Sequence, residues 1–140
     1  MSTPQELRLP PVTASVGDAR RFVAGCIENV RDSVVDRVIL LVSELAANAV
    51  QHARSWFTVS VEVTPRIRVE VSDANHSGVR RQPGQPSDPT GRGLNIVALG
   101  SDAWGVVHHP NDGKTVWFEV DPTSSPAAPA VAPGGVTPGG

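Results

Sequence analysis

Two polar side chains lie one helical turn apart in an otherwise apolar segment. The segment "LLVSELAANAVQHA", residues 40–53, carries the carboxylate of Glu44 and the carboxamide of Asn48. At about 100° per residue, both side chains point the same way, beside the apolar stripe and not opposite it. They are therefore candidates for a site at the rim between a helix layer and a sheet. A solvated polar pair at i and i+4 is the alternative that the spacing leaves open.

A third polar side chain lies at the end of a strand pattern. In "RIRVEVSD" every second residue is apolar, at Ile67, Val69 and Val71, and Asp73 is the next position on that inward face. An unpaired carboxylate is costly to bury, so Asp73 needs hydrogen-bond donors, and a bound ligand could supply them. Capping of the next turn by a strand-end aspartate is the alternative.

A further candidate is the segment "TGRGLN", residues 90–95, whose glycines open a short helical pattern. A helix start presents unpaired backbone N–H groups and the positive end of the helix dipole, which suit a phosphate group. Arg92, between Gly91 and Gly93, could pair with an anionic group or remain solvated. Glycines at a helix start also occur as plain turn residues, so the motif is weak when taken alone.

Two helix patterns must position the first pair of candidates. Apolar residues recur at helical spacing in residues 15–30 and again in the segment that follows, which is expected to end near Ala53. Both helices begin with serine followed by aspartate three residues later, an arrangement that resembles a capping box. The predicted pairs are Ser15 with Asp18 and Ser33 with Asp36.

The period of the apolar residues then changes from 3.6 to 2, which indicates strands. Strands are expected around Leu7 and Leu9 and over residues 56–63, 66–73, 103–109 and 114–120. The last four form two predicted hairpins, which turn at Thr64–Pro65 and at "PNDG". Between the hairpins lie a short helix and residues 74–90, a Gly/Pro/Ser-rich loop whose length favours a functional lid. The order predicts an α+β two-layer sandwich, with helices covering one face of a mainly antiparallel sheet.

Length, composition, net charge and cysteine content limit the possible domain organisation and location of the protein. The chain has 140 residues, and residues 1–120 are assigned to one domain with its own core. Residues 121–140 are rich in Pro, Gly and Ala and are predicted to form a disordered tail. The net charge of −2 gives no indication of a nucleic-acid or membrane partner. A single cysteine, Cys26, excludes an intramolecular disulfide, and without a signal pattern the expected location is the cytoplasm.

Taken together and in this order, these pieces resemble the GHKL ATP-binding family, whose fold is the Bergerat fold. The segment "ELAANAVQHA" is similar to its N box, "VSDANHSG" to its G1 box and "GRGLNIV" to its G2 box. Lys114 and Thr115 stand in a segment similar to the late strand that carries a threonine near the adenine. Within the family, the short chain looks most like the anti-sigma-factor serine kinases of the partner-switching type.

The resemblance implies that ATP and Mg²⁺ bind this domain. Asn48 would coordinate Mg²⁺ through its side-chain oxygen, because this cation is held by few protein oxygens besides phosphate and water. Glu44 would act as the general base toward a substrate serine hydroxyl. Asp73 would accept a hydrogen bond from the adenine amino group, and Thr115 would support that contact.

The two glycine-containing boxes would surround the rest of the nucleotide. The family's G1 pattern is D-x-G-x-G, but here Asn75 and Ser77 occupy the glycine positions and Gly78 is displaced by one. Asn75 and Gly78 are assigned to the site, since asparagine tolerates the left-handed backbone. The change is expected to affect turnover more than binding. The residues that would close over the phosphates are Gly91, Arg92, Gly93 and Leu94.

The function implied by the resemblance is that of an anti-sigma factor with serine protein kinase activity. Such a protein would bind and silence a sigma factor and would phosphorylate a small antagonist protein. One alternative is a non-catalytic binding module of the same fold, with or without nucleotide. The other is a structural domain whose boxes are coincidental. Homodimers are frequent in the family, so a homodimer is one possible state of this chain.

Overall fold

The computed structural model describes residues 3–53, 55–73, 93–110 and 113–123. The first half of the chain forms β1 (Gln5–Leu9), α1 (Ala14–Cys26), α2 (Asp32–Asn48) and a π-helical turn (Ala49–Ala53). The second half forms β2 (Phe57–Val63), β3 (Ile67–Asp73), α3 (Gly93–Gly100), β4 (Ala103–His109) and β5 (Gly113–Val120). The predicted strands, both hairpins and the short helix are therefore confirmed. The predicted lid, residues 74–90, lies outside the described residues.

The five described strands form one antiparallel sheet in the order β1-β2-β3-β5-β4. Strand β3 is the central strand, and its residue Val71 pairs with Val59 of β2 on one side and Val116 of β5 on the other. Directly paired residues of antiparallel strands share a face of the sheet, so these three valines form one apolar row. The helices pack on that face, which confirms the predicted α+β sandwich.

The core lies between the sheet and the helices. Its largest fully buried side chains include Phe57 of β2 and Phe118 of β5. Burying a side chain of this size contributes about 1.5–3 kcal/mol, so the apolar rows hold the layers together. Helix α2 supplies the opposing surface, and its buried residues are Val34, Val38, Leu41, Val42, Leu45 and Ala46.

The starts of the two long helices differ from the predicted capping boxes. Helix α1 begins at Ala14, and the buried Ser15 hydroxyl donates to the carbonyl oxygen of Pro10 at 2.7 Å. Helix α2 begins at Asp32 after Arg31, and neither helix has a side-chain cap hydrogen bond. Both predicted caps are therefore wrong, because Ser15 and Ser33 lie inside the first turns of α1 and α2.

The helical run ends where the sequence predicts it. Helix α2 continues into the π-helical turn, which ends at Ala53. Asn48 is thus the last α-helical residue before a wider turn, and short π-helical insertions of this kind are frequent at functional sites. Among the described helices, none is long and apolar enough to cross a membrane.

Candidate functional site

Asp73 is the last residue of β3, and its side chain lies on the inward face of the sheet, as the alternation of apolar residues predicts. The burial of β3 alternates strictly, and Asp73 is 9% exposed on the same face as Ile67, Val69 and Val71. A carboxylate at the edge of an apolar face is a strong hydrogen-bond acceptor in a setting with little competing water. Asp73 is therefore suited to fix the orientation of a ligand that carries a donor.

Gly113 of the neighbouring strand lies close against Asp73. Gly113 has a φ of +85°, which L side chains rarely adopt. A Cβ at this position would lie 2.1 Å from the Asp73 carbonyl oxygen and 2.6 Å from its Oδ1. Only glycine therefore fits here, and it lets the start of β5 lie directly against Asp73.

Lys114 is the charged neighbour of Asp73 and was not assigned to the site from the sequence. It is the residue paired with Asp73 across the ladder between β3 and β5, so the two side chains share a face. Lys114 Nζ lies 3.9 Å from Asp73 Oδ2, and the lysine side chain is 31% exposed. The site thus combines one carboxylate and one ammonium group.

Thr115, predicted to support the contact between Asp73 and the adenine, lies on the other face of the sheet from Asp73. It pairs with Ser72, and its hydroxyl lies 2.8 Å from the Ser72 hydroxyl and 2.9 Å from His109 Nε2. Successive residues of a strand point to opposite faces, so the Thr115 side chain points away from the face that carries the Asp73 carboxylate. The same alternation, counted back from the apolar residues of β5, would have placed Lys114 inward.

Glu44 and Asn48 lie half-buried on one flank of α2. At about 100° per residue, both lie within about 60° of Leu41 around the helix. Helix α3 packs against Leu41, since a Cβ added to Gly100 of α3 would lie 2.9 Å from Leu41 Cδ2. The two polar side chains therefore line the flank of α2 that faces α3, next to the core and not opposite it.

Helix α3 begins at Gly93, so the backbone of Gly93 and Leu94 belongs to its first turn. The N–H groups of a first turn have no partner within the helix and suit an anion. The other box residues assigned from the sequence, Asn75, Gly78, Gly91 and Arg92, lie outside the described residues.

A model of the histidine kinase-like ATPase domain matches residues 9–120 of the chain. This match covers every described element from the end of β1 to the end of β5. The protein therefore belongs to the histidine kinase-like ATPase domain family, of the GHKL type, and it contains an ATP-binding regulatory domain. The sequence finds no match among the curated proteins with which it was compared.

The described residues fit the ligands of such a domain. Asp73 offers a buried acceptor for the base, and the first turn of α3 offers backbone donors for phosphate. The carboxamide oxygen of Asn48 is a suitable hard ligand for Mg²⁺, which takes few ligands from the protein itself. Glu44 lies one helical turn before Asn48, so its carboxylate is on the same flank of α2.

Proposed function

We propose that this protein is an anti-sigma factor with ATP-dependent serine protein kinase activity. The observation that carries the proposal is the half-buried pair of Glu44 and Asn48 on α2, within a domain that binds ATP. A carboxylate beside a metal-ligating carboxamide suits transfer to a hydroxyl, which must lose a proton. The partners of the protein would be a sigma factor and a small antagonist that carries the substrate serine.

Each residue of the site has a separate task in the proposed reaction. ATP would supply the transferred phosphoryl group, and a bound Mg²⁺ would supply neutralisation of the phosphate charge. Asn48 would hold the metal, and Asp73 would orient the adenine ring by accepting a hydrogen bond from the amino group of the adenine. Glu44 accepts the proton of the serine hydroxyl as the oxygen forms its bond to phosphorus and ADP leaves. Positioning and charge neutralisation account for most of the rate in such reactions, so few protein groups are needed.

The second candidate function is a binding module that acts without phosphoryl transfer. The observation that favours it is the altered G1 box, in which Asn75 and Ser77 replace the two glycines of D-x-G-x-G. Such a protein would silence its partner by contact alone. Binding of ATP does not distinguish the two functions, but transfer of phosphate does.

Calorimetric titration with ATP, with and without Mg²⁺, tests the nucleotide site. We expect binding that requires Mg²⁺ and that the Asp73→Asn variant weakens by about 10- to 100-fold, because a hydrogen bond to a charged group contributes about 1.5–3 kcal/mol. Absence of binding at millimolar ATP in the unaltered protein would leave only the binding module.

Phosphate transfer is then measured with radiolabelled ATP and the antagonist proteins of the same organism, one at a time. The Glu44→Gln variant keeps the shape of the side chain but removes the base. We expect it to bind ATP normally and to lose transfer by about 100-fold or more. Normal transfer by this variant would show that Glu44 is not the base, and no transfer by any antagonist would favour the binding module.

A further inference from the structure

Lys114 is the one charged residue on the inward face of β5. The alternate residues of β5 that follow it on that face, Val116, Phe118 and Val120, are all buried. Lys114 extends this row to the end of the sheet, where it pairs with Asp73. Because Lys114 pairs with Asp73, its side chain lies on the same face of the sheet, and its ammonium group lies near the Asp73 carboxylate.

Among the described residues, the contact of Lys114 with Asp73 is an ion pair and not a hydrogen bond. The distance of 3.9 Å between Lys114 Nζ and Asp73 Oδ2 is within an ion pair but too long for a hydrogen bond. The ammonium group carries three donors and no acceptor, whereas an ionised carboxylate carries acceptors only. The two side chains therefore present one donor group and one acceptor group next to each other.

We propose that Lys114 is a specificity-determining residue of the nucleotide site, donating a hydrogen bond to the purine ring beside the group that Asp73 binds. The inference rests on the proposed contact between Asp73 and the base. In adenine the 6-amino donor is flanked by two ring acceptors, N1 and N7. An adjacent carboxylate and ammonium group match one such donor–acceptor pair, so together they fix the orientation of the base.

The same two side chains also match a 6-oxopurine. There Lys114 would donate to the 6-oxo oxygen, and Asp73 would accept from the N1–H group. A site with a carboxylate alone would leave that carbonyl oxygen without a partner, which costs binding energy when it is desolvated. Lys114 would therefore let the site bind inosine triphosphate as well as ATP.

The experiment is calorimetric titration of the full chain and of Lys114→Met with four nucleotides: ATP, 1-deaza-ATP, 7-deaza-ATP and inosine triphosphate. Methionine keeps the unbranched shape of the side chain and all but its last atom, and it removes the donor. We expect the substitution to weaken ATP about tenfold or more and inosine triphosphate at least as much. With one of the two deaza analogues the substitution should have no effect, because the acceptor of Lys114 is already missing.

Arg8→Met is the matched control, since it also removes one positive charge. Arg8 is exposed on β1, two strands from β3, where it lies over the ring of Trp56 at 5.2 Å. We expect its affinity for all four nucleotides to be unchanged. An equal loss in both variants would mean that net charge, and not a hydrogen bond, explains the result, and this would overturn the proposal.

The remaining outcomes separate this inference from the proposed function. If the unaltered protein binds ATP and Lys114→Met binds it equally well or more tightly, the role of Lys114 is overturned and the nucleotide site stands. If both deaza analogues still respond to the substitution, no ring acceptor is involved and the proposal is also overturned. If the unaltered protein binds none of the nucleotides, the proposed function fails together with this inference.

Discussion

At the scale of single residues, the site depends on one glycine as much as on its charged groups. Gly113 combines a positive φ with a backbone that lies against Asp73. The Gly113→Ala substitution adds a methyl group where the Asp73 carbonyl oxygen already lies. We expect a loss of at least about 1 kcal/mol in the free energy of unfolding, measured by urea denaturation, because alanine is strained at positive φ. Weaker ATP binding should accompany this loss, since Asp73 must move.

Gly25→Ala provides the control for this prediction. Gly25 lies in the last turn of α1, and a Cβ there would meet nothing within 4 Å. Alanine is the better helix former by roughly 0.5–1 kcal/mol, so this variant should be as stable as the original protein or more stable. Equal destabilisation of both variants would contradict the role assigned to Gly113.

The sequence alone predicted where Asp73 lies, but not the roles of Lys114 and Gly113. Alternation along β3 placed Asp73 on the inward face, because apolar residues on alternate positions identify the buried side of a strand. The resemblance to the family assigned Thr115 a role near the adenine. It did not indicate on which face of the sheet the Thr115 side chain lies. The register of β5 against β3 decides that question, and it selects Lys114. The close approach of Gly113 depends on the same pairing, so no local pattern could have predicted it.

At the scale of elements, apolar periodicity located the helices but local motifs did not locate their first residues. The segment from Ser15 to Asp18 has the spacing of a capping box, yet the Ser15 hydroxyl bonds to Pro10 in the preceding turn. Asp18 instead pairs with Arg21 on the exposed side of α1. A short polar side chain has several backbone partners within reach, and tertiary packing selects among them.

Two serine substitutions test this distinction. Ser15→Ala removes a buried hydroxyl and leaves the Pro10 carbonyl oxygen without this donor, so we expect a loss of about 1 kcal/mol. Ser33→Ala changes an exposed residue in the first turn of α2, and its effect should lie within about 0.5 kcal/mol. Thermal or urea unfolding of the two variants measures both. A larger loss of stability for Ser33→Ala would support the predicted role of Ser33 as the cap of α2.

At the scale of the whole molecule, the order of elements predicted the layers but not the order of strands. Each hairpin is specified by a short turn, which brings its two strands together locally. The pairing of β3 with β5 joins the two hairpins across the segment that contains α3, and it places Asp73 beside Lys114. No local pattern specifies that pairing, because it is selected only when the core forms. The candidate site is thus a product of the tertiary structure.

The end of the sheet opposite the site anchors the last described residues. The backbone N–H of Asp121 donates to Asp102 Oδ2 at 2.6 Å, and Arg31 donates to the Pro122 carbonyl oxygen at 3.2 Å. Arg37 Nη2 lies 3.4 Å from the same Asp102 oxygen. Hydrogen bonds from the hydroxyl and the N–H of Thr123 hold the pKa of the Asp121 carboxyl below its usual range. These contacts hold residues 121–123 against the sheet, so we expect the domain to extend to Thr123, three residues beyond β5.

Two truncations distinguish this boundary from the predicted one at residue 120. A chain ending at Thr123 keeps all of these contacts, whereas one ending at Val120 loses the hydrogen bonds to Asp102 and from Arg31. Since each such bond contributes about 0.5–1.5 kcal/mol, we expect the shorter chain to be less stable by about 1–3 kcal/mol. The chain ending at Thr123 should match the full-length protein in stability and in ATP affinity, because the site lies at the other end of the sheet. Urea denaturation and calorimetry measure both quantities, and equal stability of the two truncated chains would place the boundary of the domain at Val120.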